Sequence, residues 1–161
     1  MPRYGKALKT ITLIIVILLS SLIAQAKPLP LSGKVIKVSD GDTITVLTPQ
    51  KRQVKVRLHG IDAPEKKQAY GNKSRQFLSN LVAGKEVEVK EKGKDRYKRV
   101  LGVVYYNEQD INAQMVLNGY AWAYVKFSKD YARQEREARE NKRGLWQDIN
   151  AIPPWEFRID N

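Results

Sequence analysis

The sequence contains no cysteine and a single histidine, His59. Disulfides and thiolate zinc sites are therefore excluded, as are metal sites built from several histidines. Acidic residues are few beside basic ones, with 17 Asp and Glu against 29 Lys and Arg, which gives a formal net charge of +12. Because disulfides are excluded, the fold must rest on its apolar core. The excess of basic residues favours polyanionic partners.

The first 26 residues have the pattern of a secretory signal. Three basic residues precede an uncharged, largely apolar segment at 11–24, and Ala24-Gln25-Ala26 is a small-x-small cleavage site. The apolar segment is short for a membrane span, which needs roughly 20 residues. The sequence predicts cleavage after Ala26 and a protein that is secreted or held in the periplasm or cell envelope, with an uncleaved anchor as the alternative.

The remaining chain, residues 27–161, has about 135 residues, a size typical of one domain. The first 26 residues hold three of the Lys and Arg residues and none of the Asp and Glu, so this part keeps a net charge of +9. Such an excess favours nucleic acid as a partner, and anionic membrane or wall polymers are the next candidates. A solvated basic surface is the plain interpretation of the same charge.

Apolar residues alternate with polar ones in five segments, a pattern that predicts strands. A helical period interrupts them at 70–82, and two further helices are predicted at 111–117 and 130–143. Residues 91–99 are expected to form a charged loop. This order predicts an α+β fold, a five-stranded β-barrel of the oligonucleotide/oligosaccharide-binding (OB) type with three helices.

Two polar turns stand at the ends of the predicted strands. One is Asp40-Gly41-Asp42-Thr43, and the other runs from Arg57 to Glu65 with the sequence RLHGIDAPE. Carboxylate oxygens suit calcium or another hard cation, and a neighbouring arginine suits phosphate. Together with the basic charge, these turns predict phosphodiester hydrolysis. The plain alternatives are a turn-forming role for Asp42, a surface salt bridge for Arg57 and an exposed charge at Glu65.

At these residues the sequence resembles the thermonuclease, or staphylococcal-nuclease-like, family. The resemblance covers the core at about 33–146 and leaves 147–161 as a C-terminal extension. It rests on six motifs in order: VSDGDTITV (38–46), VRLHGIDAPE (56–65), YGNKSRQFL (70–78), DRYKRVLGVVY (95–105), INAQMVLNGYA (111–121) and GLW (144–146).

The resemblance implies an OB barrel with three helices and a calcium-dependent endonuclease that cuts DNA or RNA and leaves 3′-phosphates. It implies roles for eight residues: calcium binding by Asp42, Asp62 and the Ala63 carbonyl, catalysis by Arg57, Glu65 and Arg99, and contacts with the substrate's terminal phosphate by Arg96 and Tyr97. Tyr124 is a further candidate for stacking on a base, as is Trp122, although such aromatics more often pack in a core. No protein partner is indicated, and we expect a monomer.

Lys98 departs from the family pattern, which usually has glycine before the second arginine. Glycine tolerates positive φ and lysine does so poorly, so the turn that presents Arg99 is either left-handed with some strain or an ordinary right-handed turn.

Two other functions compete with a nuclease. One is an OB module that binds nucleic acid without cutting it, and the other is an envelope protein that binds anionic polymers. The presence of both arginines, the glutamate and the metal carboxylates favours the enzyme.

The charge also predicts how nucleic acid would bind. No base-reading motif is evident, so backbone phosphates should dominate the affinity, and log K should fall steeply with log salt concentration. Titrations of several unrelated single strands in calcium-free buffer at increasing salt measure this. A strong preference for one sequence, or a flat salt response, would contradict it.

Overall fold

Alternating apolar residues form the strands of a closed barrel in the computed structural model, which describes residues 30–160. The predicted signal segment, residues 1–26, lies outside this range. Every second side chain of the barrel strands points inward, so Val35, Ile44, Val46, Val56 and Leu58 are almost fully buried. The barrel strands are β1 (Leu31–Asp40), β2 (Thr43–Leu47), β3 (Gln53–Leu58), β5 (Glu86–Lys94) and β6 (Val100–Tyr106).

The strand order is β3-β2-β1-β5-β6, and a parallel pairing between β3 and β6 closes the barrel. In that pairing Val56 lies opposite Val100, and Arg57 lies opposite Leu101. The predicted five-stranded OB-type barrel is therefore confirmed. Three two-residue strands complete the sheets of the described chain: β4 (Ile61–Asp62), β7 (Gln109–Asp110) and β8 (Trp122–Ala123).

Four α-helices and a short 3-10 helix at Gly144–Gln147 lie within residues 30–160. The α-helices are α1 (Gly71–Val82), α2 (Ile111–Leu117), α3 (Ala132–Glu140) and α4 (Pro154–Asp160). The first two follow the sequence prediction closely, and the Asp110 carboxylate caps α2 by accepting a hydrogen bond from the Ala113 N–H at 2.8 Å. No helix in the described part of the chain is long and apolar enough to cross a membrane.

Three features differ from the prediction. Strand β5 continues to Lys94, which pairs with Val100, so the expected loop at 91–99 shrinks to a turn at 95–99. Helix α3 ends at Glu140 instead of Arg143, because Lys142 is left-handed with φ 49°. Helix α4 was not predicted, since it lies in the extension beyond the family core.

Lys98 lies at φ 63°, the left-handed conformation expected if it replaces a glycine. Its N–H donates to the Asp95 carbonyl at 3.0 Å, which closes the turn between β5 and β6. The left-handed alternative is therefore confirmed, and the turn keeps its shape although a lysine stands where glycine fits better.

Replacing Lys98 by glycine should leave the free energy of unfolding unchanged or raise it by up to about 1 kcal/mol, because relief of left-handed strain offsets the added entropy of the unfolded chain. Lys129→Gly is the matched control, since Lys129 is also an exposed loop lysine but has no positive φ. The control should lose about 0.5–1 kcal/mol. Urea denaturation measures both, and equal losses would contradict the expectation.

Candidate active site

Three turns meet at one end of the barrel and carry the predicted site residues. The β1–β2 turn supplies Asp42, the segment after β3 supplies Asp62 and Glu65, and the β5–β6 turn supplies Arg99. The Leu58 N–H donates to the Asp42 carbonyl at 2.8 Å, which ties the first turn to the end of β3. Residues far apart in the sequence thus share one polar surface because the barrel brings these strand ends together.

The first turn needs glycine because it is packed against neighbouring segments. A Cβ on Gly41 would lie 2.8 Å from the Ala63 Cβ and would overlap the Ser74 hydroxyl. This close approach places Asp42 beside the segment after β3, where its Oδ2 accepts a hydrogen bond from the Ala63 N–H at 2.7 Å. Asp42 therefore does more than form a turn.

Asp40 lies in the same turn, where its Oδ1 accepts a hydrogen bond from the Asp42 N–H at 3.1 Å. Burial and the neighbouring charge of Asp42 raise the pKa of Asp40 to about 7. This hydrogen bond gives Asp40 a structural role within the turn.

Arg57 links the two buried carboxylates of the site. Its Nη1 lies 3.1 Å from the Asp42 Oδ2, and its Nη2 donates to the Asp62 Oδ1 at 3.0 Å. The same guanidinium donates to the carbonyls of Leu58 and Ile61 at 3.1 and 2.9 Å. Its side chain is only 14% exposed and the carboxylates are buried, so the plain interpretation, a surface salt bridge, does not describe it.

Asp62 is the most deeply buried acid of the site, with 1% of its side chain exposed. Burial raises the pKa of this carboxyl, and hydrogen bonds and positive charge from Arg158 and Arg57 act in the opposite direction. An ionised carboxylate at this depth requires such cationic partners. The site is therefore an electrostatically coupled group and not a set of independent surface charges.

Arg99 is held by the turn that precedes it. Its Nε donates to the Asp95 Oδ2 at 2.7 Å, and the Asp95 Oδ1 accepts from the backbone N–H groups of Tyr97 and Arg99. The Arg99 Nη1 lies 3.5 Å from the Thr43 hydroxyl, which itself donates to the Asp42 Oδ1 at 3.1 Å. Thr43 thus links the second arginine to the carboxylate group.

Arg96 and Tyr97 stand at the rim on the same turn. The Tyr97 ring is 64% exposed, and the guanidinium groups of Arg96 and Arg99 lie over it at 4.8 and 5.5 Å from its centroid. This places both predicted substrate contacts beside Arg99.

Tyr124 lines a pocket of about 210 Å³ together with Arg57 and Phe127. It therefore lies beside Arg57, and its contact with substrate stays a prediction. Trp122 instead is 7% exposed and packs edge-on against Trp146, with centroids 4.3 Å apart. Trp122 thus follows the core-packing interpretation.

One site residue escaped the sequence analysis. Arg158, in α4, reaches Asp62 Oδ2 with Nη2 at 2.7 Å and Glu65 Oε1 with Nη1 at 2.6 Å. It comes from the extension, where no family motif pointed to it. An isolated arginine in a charged tail carries no signal of its own in a single sequence.

The oxygen atoms of this site suit a hard divalent cation. Asp42 and Asp62 both contact the Arg57 guanidinium, and Asp62 and Glu65 both contact the Arg158 guanidinium. The three carboxylates therefore already bind positively charged groups. Within residues 30–160 no group of three or more His, Asp or Glu side chains is arranged as a metal cluster. A cation here would rely on two carboxylates and neutral oxygens, a set that calcium accepts.

Comparison with known proteins finds nucleases among the similar sequences. The family model described as "Staphylococcal nuclease homologue" matches residues 55–148. An "Uncharacterized endonuclease" of Haemophilus influenzae is 51% identical over 127 residues, covering 78% of this chain and 71% of the relative. A "Micrococcal nuclease" of Shigella flexneri is 46% identical over 139 residues, covering 78% and 79%. A "Probable staphylococcal-like nuclease CAN2" of Oryza sativa subsp. japonica is 40% identical over 129 residues, covering 79% of this chain but 33% of the relative.

The Arg99 turn should depend on the charge of Asp95. Burial raises the pKa of this carboxyl, but the hydrogen bonds from Arg99 and Tyr97 outweigh it and hold the pKa below its ordinary value. A depressed pKa in the folded state stabilises the fold above the unfolded pKa, near 4, and this stabilisation is lost as pH falls through the folded pKa.

Asp95→Asn should therefore lower the free energy of unfolding by about 1 kcal/mol at pH 7, and by less near pH 3. Urea denaturation at both pH values measures this, with exposed Glu140→Gln as the control. An equal loss at the two pH values would contradict the assignment.

Proposed function

Since the chain belongs to the staphylococcal nuclease family, we propose that it is an exported, calcium-dependent endonuclease that cuts DNA or RNA with little sequence preference and leaves 3′-phosphates. Family membership supports phosphodiester hydrolysis and a nucleic acid substrate. The oxygen-rich site motivates the calcium requirement, the family resemblance motivates the 3′-phosphate product, and the N-terminal signal pattern motivates the export.

The convergence of Arg57 with the buried carboxylates carries this proposal. A phosphodiester repels nucleophiles because it is negatively charged, so its hydrolysis needs fixed positive charge at the phosphate and an acidic group near the attacking water. The site supplies arginines and carboxylates within hydrogen-bond distance of one another. A module that only binds nucleic acid has no need for buried acids beside its phosphate contacts.

The two arginines would bind the phosphate oxygens and stabilise the charge that develops in the transition state. A guanidinium has five N–H donors, so the four acceptors that hold Arg57 in place do not saturate it. Arg99 is oriented through its Nε by Asp95, an arrangement that fixes the plane of its guanidinium. Both are therefore positioned in advance, as transition-state stabilisation requires.

Glu65 would orient the attacking water or accept a proton from it. Its side chain is 41% exposed, so water reaches it, whereas Asp62 is buried. A general acid–base group of this kind contributes about 10²–10⁴-fold to the rate. Asp42, Asp62 and the Ala63 carbonyl would hold calcium, which when bound supplies Lewis-acid polarisation of the phosphate.

The proposal is tested by plasmid nicking with Glu65→Gln. The wild-type protein should cut in calcium and show little activity in EDTA, and the variant should be slower by about 10²-fold or more because it lacks the proton acceptor. Glu140→Gln makes the same charge change at an exposed position on α3 and should cut at the wild-type rate.

Full wild-type activity in chelator would refute the calcium requirement. If wild-type protein binds single strands but never cuts them, it is the non-catalytic binding module that the sequence analysis left as the alternative.

A further inference from the structure

Helix α4 places a positive charge on the carboxylates of the site. The Arg158 guanidinium makes a two-point contact with Asp62, at 2.7 Å from Nη2 to Oδ2 and 3.3 Å from Nη1 to Oδ1. Its Nη1 also donates to the Glu65 Oε1 at 2.6 Å. One side chain from the C-terminal extension thus engages two acids to which the proposed function gives a role.

The same helix places a flat ring on Tyr124. Trp155 precedes Arg158 by three positions, so the two side chains lie on one face of α4. The Trp155 ring stacks on Tyr124 with centroids 5.3 Å apart and planes inclined by 15°. A nucleobase cannot use the face of Tyr124 that Trp155 covers. Helix α4 therefore engages both the acidic and the aromatic part of the site.

A divalent cation and Arg158 compete for the same oxygen atoms. Asp62 is 1% exposed, its Oδ1 accepts from both Arg57 and Arg158, and its Oδ2 accepts from Arg158. This two-point contact uses lone pairs on both Asp62 oxygens, and the charge of a cation bound there would repel the guanidinium. Cation binding and the Arg158 contact therefore oppose each other.

The attachment of α4 is suited to release. A helix of seven residues is too short to be stable without its contacts. Its Arg158 side chain is 43% exposed and its Ile159 is 81% exposed, so this end of the helix is little buried. At the other end the Gln68 side chain donates to the Ile152 carbonyl at 2.6 Å and accepts from the Glu65 N–H, so the segment remains tethered beside the site.

We propose that α4 is an autoinhibitory strap, which covers Asp62, Glu65 and Tyr124 and is displaced when a divalent cation and a nucleic acid strand bind. This inference rests on the proposed function, since it assumes that these residues hold cation and substrate. Arg158 takes the place of the cation, and Trp155 takes the place of a base. Arg158 also supplies charge compensation to buried Asp62 until the cation does.

The test compares calcium binding by isothermal titration calorimetry in the wild-type chain and in Arg158→Gln. The variant should bind calcium about tenfold more tightly, since the cation no longer has to break charged hydrogen bonds. Arg136→Gln makes the same charge change at an exposed position on α3 and should differ from wild type by less than about twofold. Trp155→Ala loosens the strap without touching an acid and should tighten binding about threefold or more.

Hydrogen exchange of the wild-type chain gives a readout independent of affinity and activity. Adding calcium should speed amide exchange in residues 154–160 while the barrel strands stay protected. If Arg158→Gln binds calcium more tightly but calcium leaves amide exchange in α4 of the wild-type chain unchanged, then Arg158 acts only through its charge. That result would overturn the strap. Equal affinities in Arg158→Gln and Arg136→Gln would overturn it as well.

The two proposals fail in different ways. If calcium binds and plasmid is cut but α4 does not respond, the strap is wrong and the nuclease stands. If neither wild type nor variants bind calcium, both the calcium requirement and the strap are wrong.

Discussion

The burial of two carboxylates at the end of the barrel is the constraint on which this site depends. Ionised acids at this depth are costly unless positive charge and hydrogen bonds surround them. Arg57 meets that need by bridging Asp42 and Asp62 while it is anchored to two backbone carbonyls. The same residue is thus a structural counter-ion and a candidate phosphate ligand, so loss of its side chain would disturb folding and catalysis together.

The barrel explains why a small protein without disulfides holds such a site. Strand pairing sets Thr43 opposite Arg57, and Arg57 opposite Leu101, so the two arginine-bearing segments are fixed relative to the first turn. Gly41 allows that turn to approach Ala63 closely. Positions on rigid strands and tight turns place the charged groups more reproducibly than long loops would.

The sequence predicted the barrel well because its strands alternate and its helix caps are local signals. It also identified the acids and arginines, since they stand in contiguous motifs, and the structure brings them together. Their roles in binding and catalysis remain predictions. The left-handed state of Lys98 was one of two alternatives, because a single residue does not reveal its backbone angle.

Other features depended on contacts that no local pattern records. Arg158 lies almost a hundred residues from Asp62 in the chain, and only tertiary packing reveals the pair. The predicted end of α3 was wrong because Lys142 is left-handed, which stops the helix before Arg143. Trp122 and Tyr124 were both considered for base stacking, with Tyr124 preferred, and the structure buries Trp122 while Tyr124 stays partly exposed.

The parallel contact between β3 and β6 has a consequence for folding. It joins Val56 to Val100, residues roughly 44 positions apart, so its formation must overcome the entropy of closing a long loop. Thr43 and Arg99 come within reach of each other only when this β3–β6 pairing has formed. A chain that has formed its hairpins but not the β3–β6 pairing would keep most of its secondary structure and lack a complete site. Activity therefore reports on barrel closure more sensitively than circular dichroism does.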